Sequence, residues 1–262
     1  MSILVFRALW GMTGPLEQQL EQISAAGYDG VEAWPFQFTL SPTEFRTLLE
    51  RYKLQLVMAG AAQTRDEIEG LLKHLVEFAP LRINLHGGRD SLTHDEGSAF
   101  FEEALRVEQV ISLPVLHETH RGRILFTPWD TAFYLRRFDE LKLTADYSHW
   151  VNVCERLPDD QADALTLANR RTVHIHGRVG YEEGPQVPDP SAPEYAPQVA
   201  WHEKQWQRIA AYRALDANLP LTFTPEYGPP SYLHTLPHTN VPVADLWQIC
   251  LRGMQRAREL LG

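Results

Sequence analysis

The stretch LPVLHETHRGR, residues 113–123, begins as an apolar run and ends in a cluster of polar groups. Leu113, Val115 and Leu116 have the character of a buried strand. His117, Glu118, Thr119 and His120 follow at once. The spacing is His-Glu-x-His, so it lacks the pair of histidines one helical turn apart that a zinc-protease helix needs. On a strand, side chains alternate between faces. Glu118 and His120 then share one face, and His117 takes the other. A buried strand that ends in a carboxylate implies that other strands send matching groups to meet it.

Short apolar runs recur along the whole chain: ILVFRAL (3–9), GVEAW (30–34), LQLVMAG (54–60), LRINLHGG (81–88), PVLHETH (114–120), LKLTADYSH (141–149), TVHIHGR (172–178) and LTFTPEYG (221–228). Amphipathic helical patterns separate them. PLEQQLEQISAAG places Leu16, Leu20 and Ile23 on one face, with Gly27 as its C-terminal stop. SPTEFRTLLERY opens with Ser41 as N-cap, Pro42 at the first helical position and Glu44 in capping-box register. Thr64 and Glu67 repeat the box before a third helix. Strands that alternate with helices point to βα units and a parallel sheet. The pitch of roughly 25–32 residues suits a (β/α)8 TIM barrel. A doubly wound open sheet is the competing architecture, but LWGMTGP after the first run is a poor glycine fingerprint for it. The expectation is one α/β barrel domain spanning residues 1–262.

The segment VGYEEGPQVPDPSAPEYAPQVA (179–200) breaks the rhythm with its prolines. It is either a passive insertion or a substrate-covering loop on the active face, since βα loops build that face.

Bulk properties narrow the function. The 262 residues carry a formal net charge of −10, which argues against a nucleic-acid partner and against an acidic membrane surface. Cys154 and Cys250 are too few for a disulfide framework and read as buried thiols of a reducing compartment. The N-terminal apolar run is interrupted by Arg7, is too short to span a membrane and lacks a signal-peptide layout, so the expected location is the cytoplasm.

Polar residues close several runs at matching positions: His86 in the fourth, Glu118 and His120 in the fifth, Asp146 and then His149 after the sixth, His174, His176 and Arg178 in the seventh, Glu226 in the eighth. In a barrel these C-terminal strand ends converge on one pocket. Ionised groups are not buried unpaired, so three converging carboxylates need a counter-charge. A divalent cation supplies it. Carboxylate oxygens with one imidazole suit Mn²⁺, Mg²⁺, Co²⁺ or Zn²⁺. Glu118, Asp146, His176 and Glu226 form such a set and leave positions open for substrate. His86, His120 and His149 are open between substrate contact and plain structure. His74 and His117 are expected outside the site, and His202, His234 and His238 have no spacing that implies a role. Glu32 reads as a core hydrogen-bonding group. Trp10 and Trp34 either floor a sugar pocket or are simply buried.

The motifs HETH, DYSHW, HIHGR and TPEYG resemble the xylose-isomerase-like TIM barrels, a superfamily of sugar and sugar-phosphate isomerases and epimerases that also holds inosose dehydratase and endonuclease IV. The resemblance covers the whole chain in architecture. It implies that Glu118, Asp146, His176 and Glu226 bind one divalent metal and that His149 touches substrate or a second metal. Arg178 becomes a substrate anchor, though its offset from His176 is not the family's usual one. The implied reaction is isomerisation or epimerisation of a small sugar or polyhydroxy carbonyl compound by proton transfer through a metal-bound enediolate, with Glu118 and Glu226 as the acid/base pair. Dehydration of an inosose-like ketose is the alternative on the same site. Endonuclease chemistry fits poorly, because the third run ends VMAG without the extra histidine and no Asp-x-His follows His176. A sugar-binding barrel without catalysis is the rival from another class. A small sugar-like molecule is the expected partner, and a homo-oligomer is left open.

Overall fold

The computed structural model describes residues 3–215 and 219–262. Eight parallel strands close into a barrel in sequence order: β1 (Leu4–Ala8), β2 (Gly30–Ala33), β3 (Gln55–Ala62), β4 (Arg82–Gly87), β5 (Val115–Glu118), β6 (Lys142–Ala145), β7 (Thr172–His176) and β8 (Thr222–Thr224). β8 pairs back onto β1 through Leu4 with Thr222 and Val5 with Phe223. The expected (β/α)8 TIM barrel is the observed fold. Apart from β3, the strands are shorter than the apolar runs, and Thr119, His120, Asp146, Arg178 and Glu226 lie just past the strand ends.

Nine α-helices among the described residues surround the strands: α1 (Leu16–Ala25), α2 (Pro42–Arg51), α3 (Arg65–Val76), α4 (His94–Ile111), α5 (Pro128–Arg137), α6 (Tyr147–Cys154), α7 (Ala162–Arg171), α8 (Ala196–Ala214) and α9 (Leu246–Leu261). Local chemistry sets their ends. The Ser41 hydroxyl accepts from Glu44 N–H while the Glu44 carboxylate accepts from Ser41 N–H, which satisfies two free donors of α2. At α3 the expected Thr64/Glu67 capping box is present, with the Glu67 carboxylate accepting from the N–H groups of Gln63 and Thr64. Gly27 follows α1 at φ +87°, a conformation open to glycine without steric cost.

Alternation along the strands sorts apolar from polar. Val5, Val31, Met58, Ile83, Leu85, Val115, Leu143, Ile175 and Phe223 belong to the main apolar core, packed with buried residues of the surrounding helices. The same alternation turns Arg82, Asn84 and His86 of β4, Glu118 of β5 and His174 and His176 of β7 into the barrel. Arg82 closes its lower end by donating to the carbonyls of Val173 and Pro220, each at 3.0 Å. His117 lies on the opposite face of β5, edge-on to Phe101, and burial pushes its imidazole down to about 3. His74 is an exposed residue of α3 beside Glu77. Cys154 and Cys250 are buried free thiols. No helix among the described residues is long and apolar enough to cross a membrane.

The 179–200 segment differs from a plain insertion. Residues 196–200 are the first turns of α8, and Pro193–Tyr195 form one 3₁₀ turn. Gln186 and Val187 are fully buried. Gln186 donates to Gly228 C=O at 3.1 Å and accepts from Gly228 N–H at 2.7 Å, which seats the segment on the exit of β8. Val187 N–H donates to Val179 C=O, and Gly180 N–H donates to the buried His202 of α8. Polar anchors hold this segment, which is why its sequence shows so little apolar pattern.

Candidate active site

Four strand ends bring Glu118, Asp146, His176 and Glu226 together, each with one ligand-type atom within 4.8 Å of the other three. All four side chains are buried. His176 Nδ1 stands at their centre, 3.1 Å from Glu226 Oε2, 3.6 Å from Glu118 Oε2 and 4.0 Å from Asp146 Oδ2.

The local sequence explains each placement. Asp146 leaves β6 and becomes the N-cap of α6, its Oδ1 accepting from Ser148 N–H at 3.1 Å and from the Ser148 hydroxyl. His149 is then three residues into the first turn and returns to the same side, with Nε2 3.6 Å from Asp146 Oδ2. That is the structural sense of Asp-x-x-His. Thr119 locks the same corner: its hydroxyl donates to Asp146 C=O at 3.0 Å and accepts from Asp146 N–H at 2.9 Å.

Arg178 is fully buried, and its guanidinium lies against Asp146 Oδ2, 3.5 Å from Glu226 Oε2 and 2.8 Å from His149 Nε2. Its Nε donates to the Ser148 hydroxyl at 3.1 Å. Tyr232 and Trp10 lie 5.0 and 5.9 Å from its guanidinium carbon and cover it with aromatic rings. On the other side, His86 Nε2 is 2.6 Å from Glu118 Oε2. The rings of His86, His120 and His149 follow one another at 4.8 and 3.8 Å, and Trp34 meets His86 edge-on at 4.9 Å. All eight sequence-predicted site residues therefore gather at one mouth.

Sequence reasoning missed part of the lower layer. Asn84 donates to Glu118 Oε2 at 2.7 Å and also lies 3.3 Å from Glu32 Oε1. Glu32 binds His174 and His176 at once. Asn84 had a readable signal, two residues before His86 on the same strand face. Tyr232 had none, since it arrives on a loop after β8.

The electrostatics favour positive charge at the centre. Burial opposes a charged His176 imidazole, but Glu226, Glu32 and Glu118 outweigh it and raise its pKa well above the usual value. Burial, reinforced by Glu226 and Glu118 against Arg178, lifts the Asp146 carboxyl to about 6. Burial, with His120 and Arg178 beside it, keeps the His149 imidazole neutral. His176 Nδ1 and Glu118 Oε1 are buried without a hydrogen-bond partner. Two such orphaned atoms in a set of three carboxylates and one imidazole fit a divalent cation.

No family model matches the chain, and no curated protein matches it. Solved structures do. A D-psicose 3-epimerase with D-tagatose from Clostridium cellulolyticum H10 aligns over 99% of this chain and 99% of that one, with a TM-score of 0.66 at 12% identity. A 3-keto-D-glucoside 4-epimerase from E. coli aligns over 98% and 100%, with a TM-score of 0.61 at 14% identity. A probable 3-DHS dehydratase of petrobactin synthesis from Bacillus anthracis covers 69% of this chain and 75% of its own, with a TM-score of 0.54 at 14% identity. These likenesses concern architecture, and on that ground the chain shares its (β/α)8 TIM-barrel fold with these proteins.

Proposed function

We propose that this protein is a divalent-metal-dependent isomerase or epimerase of a small sugar or other polyhydroxy carbonyl compound. The observation that carries the reading is the convergence of Glu118, Asp146, His176 and Glu226 on one point, with an unpartnered imidazole nitrogen and an unpartnered carboxylate oxygen among them. These four residues would hold the ion. When bound, it supplies a Lewis acid toward the substrate's carbonyl oxygen.

The protein's own groups do the rest. Glu118 takes the proton α to the carbonyl, and Glu226 returns a proton to the enediolate so formed. Return to the same carbon from the other face inverts it; return to the neighbouring carbon, with the hydroxyl proton passing to the former carbonyl oxygen, moves the carbonyl. Arg178, fixed by Asp146 and Ser148, presents positive charge where the enediolate oxygens develop negative charge. Arg178 donates to His149 Nε2, so the His149 proton resides on Nδ1, where it serves as a donor to a substrate hydroxyl. His86 and His120 line the opposite wall beside Glu118, and the 179–192 segment frames the mouth from the β8 side.

A dehydratase is the second reading, favoured by the likeness to the probable 3-DHS dehydratase. It shares the first proton abstraction and then expels a β-hydroxyl. Incubation of ketoses in D₂O with Mg²⁺ or Mn²⁺, followed by NMR, separates the readings. The isomerase or epimerase gives deuterium at the α carbon and a new isomer. The dehydratase gives an enone with new ultraviolet absorbance. A sugar-binding barrel gives neither.

A further inference from the structure

Glu32 is a buried carboxylate below the proposed metal ligands, and none of the steps above uses it. Its Oε1 is 3.0 Å from His176 Nε2 and its Oε2 is 3.2 Å from His174 Nε2. The Asn84 amide reaches Oε1 at 3.3 Å. An ionised carboxylate only accepts hydrogen bonds, and each Glu32 oxygen faces one imidazole Nε2. Both histidines must therefore carry their protons on Nε2. The His174 ring agrees, because its Nδ1 lies 2.6 Å from the Thr222 hydroxyl, which can donate to it. For His176 the consequence is larger. With Nε2–H pinned downward, Nδ1 is the nitrogen that faces Glu118, Asp146 and Glu226, and its proton is the one an ion would displace. The same Asn84 amide that reaches Glu32 also donates to Glu118 Oε2, so one floor orients two of the four proposed ligands.

We infer that Glu32 is a positioning residue that sets the tautomer and ring orientation of His176, and through it the affinity of the site for a divalent ion. This rests on the metal-binding reading above. Gln at position 32 can accept from one histidine with its oxygen, but its NH₂ then confronts the N–H of the other. One imidazole must switch tautomer or turn. Loss of an outer carboxylate of this kind typically weakens metal binding by about 10–100-fold.

The test is titration of the full-length protein with Mn²⁺, free ion being followed by electron paramagnetic resonance, with ¹⁵N-detected histidine tautomers recorded on the Zn²⁺-loaded protein. Expected results are weakening of Mn²⁺ binding by about 10–100-fold in Glu32→Gln with partial rescue in Glu32→Asp, and a wild-type His176 that carries its proton on Nε2. Glu32→Gln that folds normally and binds Mn²⁺ within about twofold of wild type overturns the inference. So does a wild-type His176 protonated on Nδ1, which needs no variant to fold. A wild type that binds no divalent ion overturns the metal reading itself, which distinguishes the two failures.

Discussion

Replacing Gln186 by Met tests whether the segment after β7 is built into the fold. Gln186 is 1% exposed, and its amide spends both functions on one residue, accepting Gly228 N–H at 2.7 Å and donating to Gly228 C=O at 3.1 Å. Methionine keeps the length of the side chain and removes both bonds. Each orphaned buried backbone group costs about 1–3 kcal/mol, so the pair costs about 2–6 kcal/mol. For a domain of this size 1 kcal/mol lowers Tm by about 2–4 °C, and a loss near 3 kcal/mol is about 6–12 °C. Gly228 also supports the site. The Trp10 ring packs so closely on it that an added Cβ would sit 2.2 Å from a ring carbon, and Glu226 is two residues upstream. Release of this corner should therefore weaken Mn²⁺ binding along with stability. Scanning calorimetry and a Mn²⁺ titration of Gln186→Met provide the assay. A Tm within 1 °C of wild type (roughly 0.5 kcal/mol or less) refutes the reasoning and makes the segment a loose cover.

Two further outcomes concern the buried histidines. Burial pushes His117 down to about 3 and His202 to about 4, whereas the unfolded chain protonates near 6.5. Both folded-state values are depressed, so the unfolded state binds more protons. Stability is complete above about pH 6.5 and falls as the pH drops toward 4, by about 2 kcal/mol per histidine at pH 5; urea titrations at pH 7.5 and 5 check this, and equal midpoints contradict it. Both ring nitrogens of His117 are buried without a partner, so His117→Leu should stabilise the protein by about 1–2 kcal/mol at pH 7, read from the urea midpoint; a destabilised variant would mean that the ring is satisfied after all.

The barrel was legible because alternation and pitch are properties of the backbone. A strand buried on its outer face shows its apolar residues every second position, and β4, β5 and β7 carry polar residues between them. The convergence of Glu118, Asp146, His176 and Glu226 was legible for the same reason, since a carboxylate at a strand end has few tolerable environments without a counter-charge. What lies between strands was harder. Glu32 was read as a hydrogen-bonding group, but its partners on β7 are 142 and 144 residues away, a pairing that only barrel closure creates. The segment after β7 carries little apolar pattern because Gln186, a residue that usually marks surface, anchors it. His202 gave no signal in sequence, yet α8 buries it against Gly180.

The central claim is that Glu118 and Glu226 both hold the metal and move the proton. Exchange of the α-proton of ketoses in D₂O, followed by NMR with metal occupancy measured in parallel, tests it most directly. Gln keeps the shape and one ligand oxygen but is no useful base. Glu118→Gln and Glu226→Gln should each slow exchange by about 10²–10⁴-fold while retaining more metal than the Ala variants. Wild-type exchange rates in both fully metallated Gln variants would contradict the account, leaving the two glutamates as ligands only and the base to be sought at His86, His120 or His149.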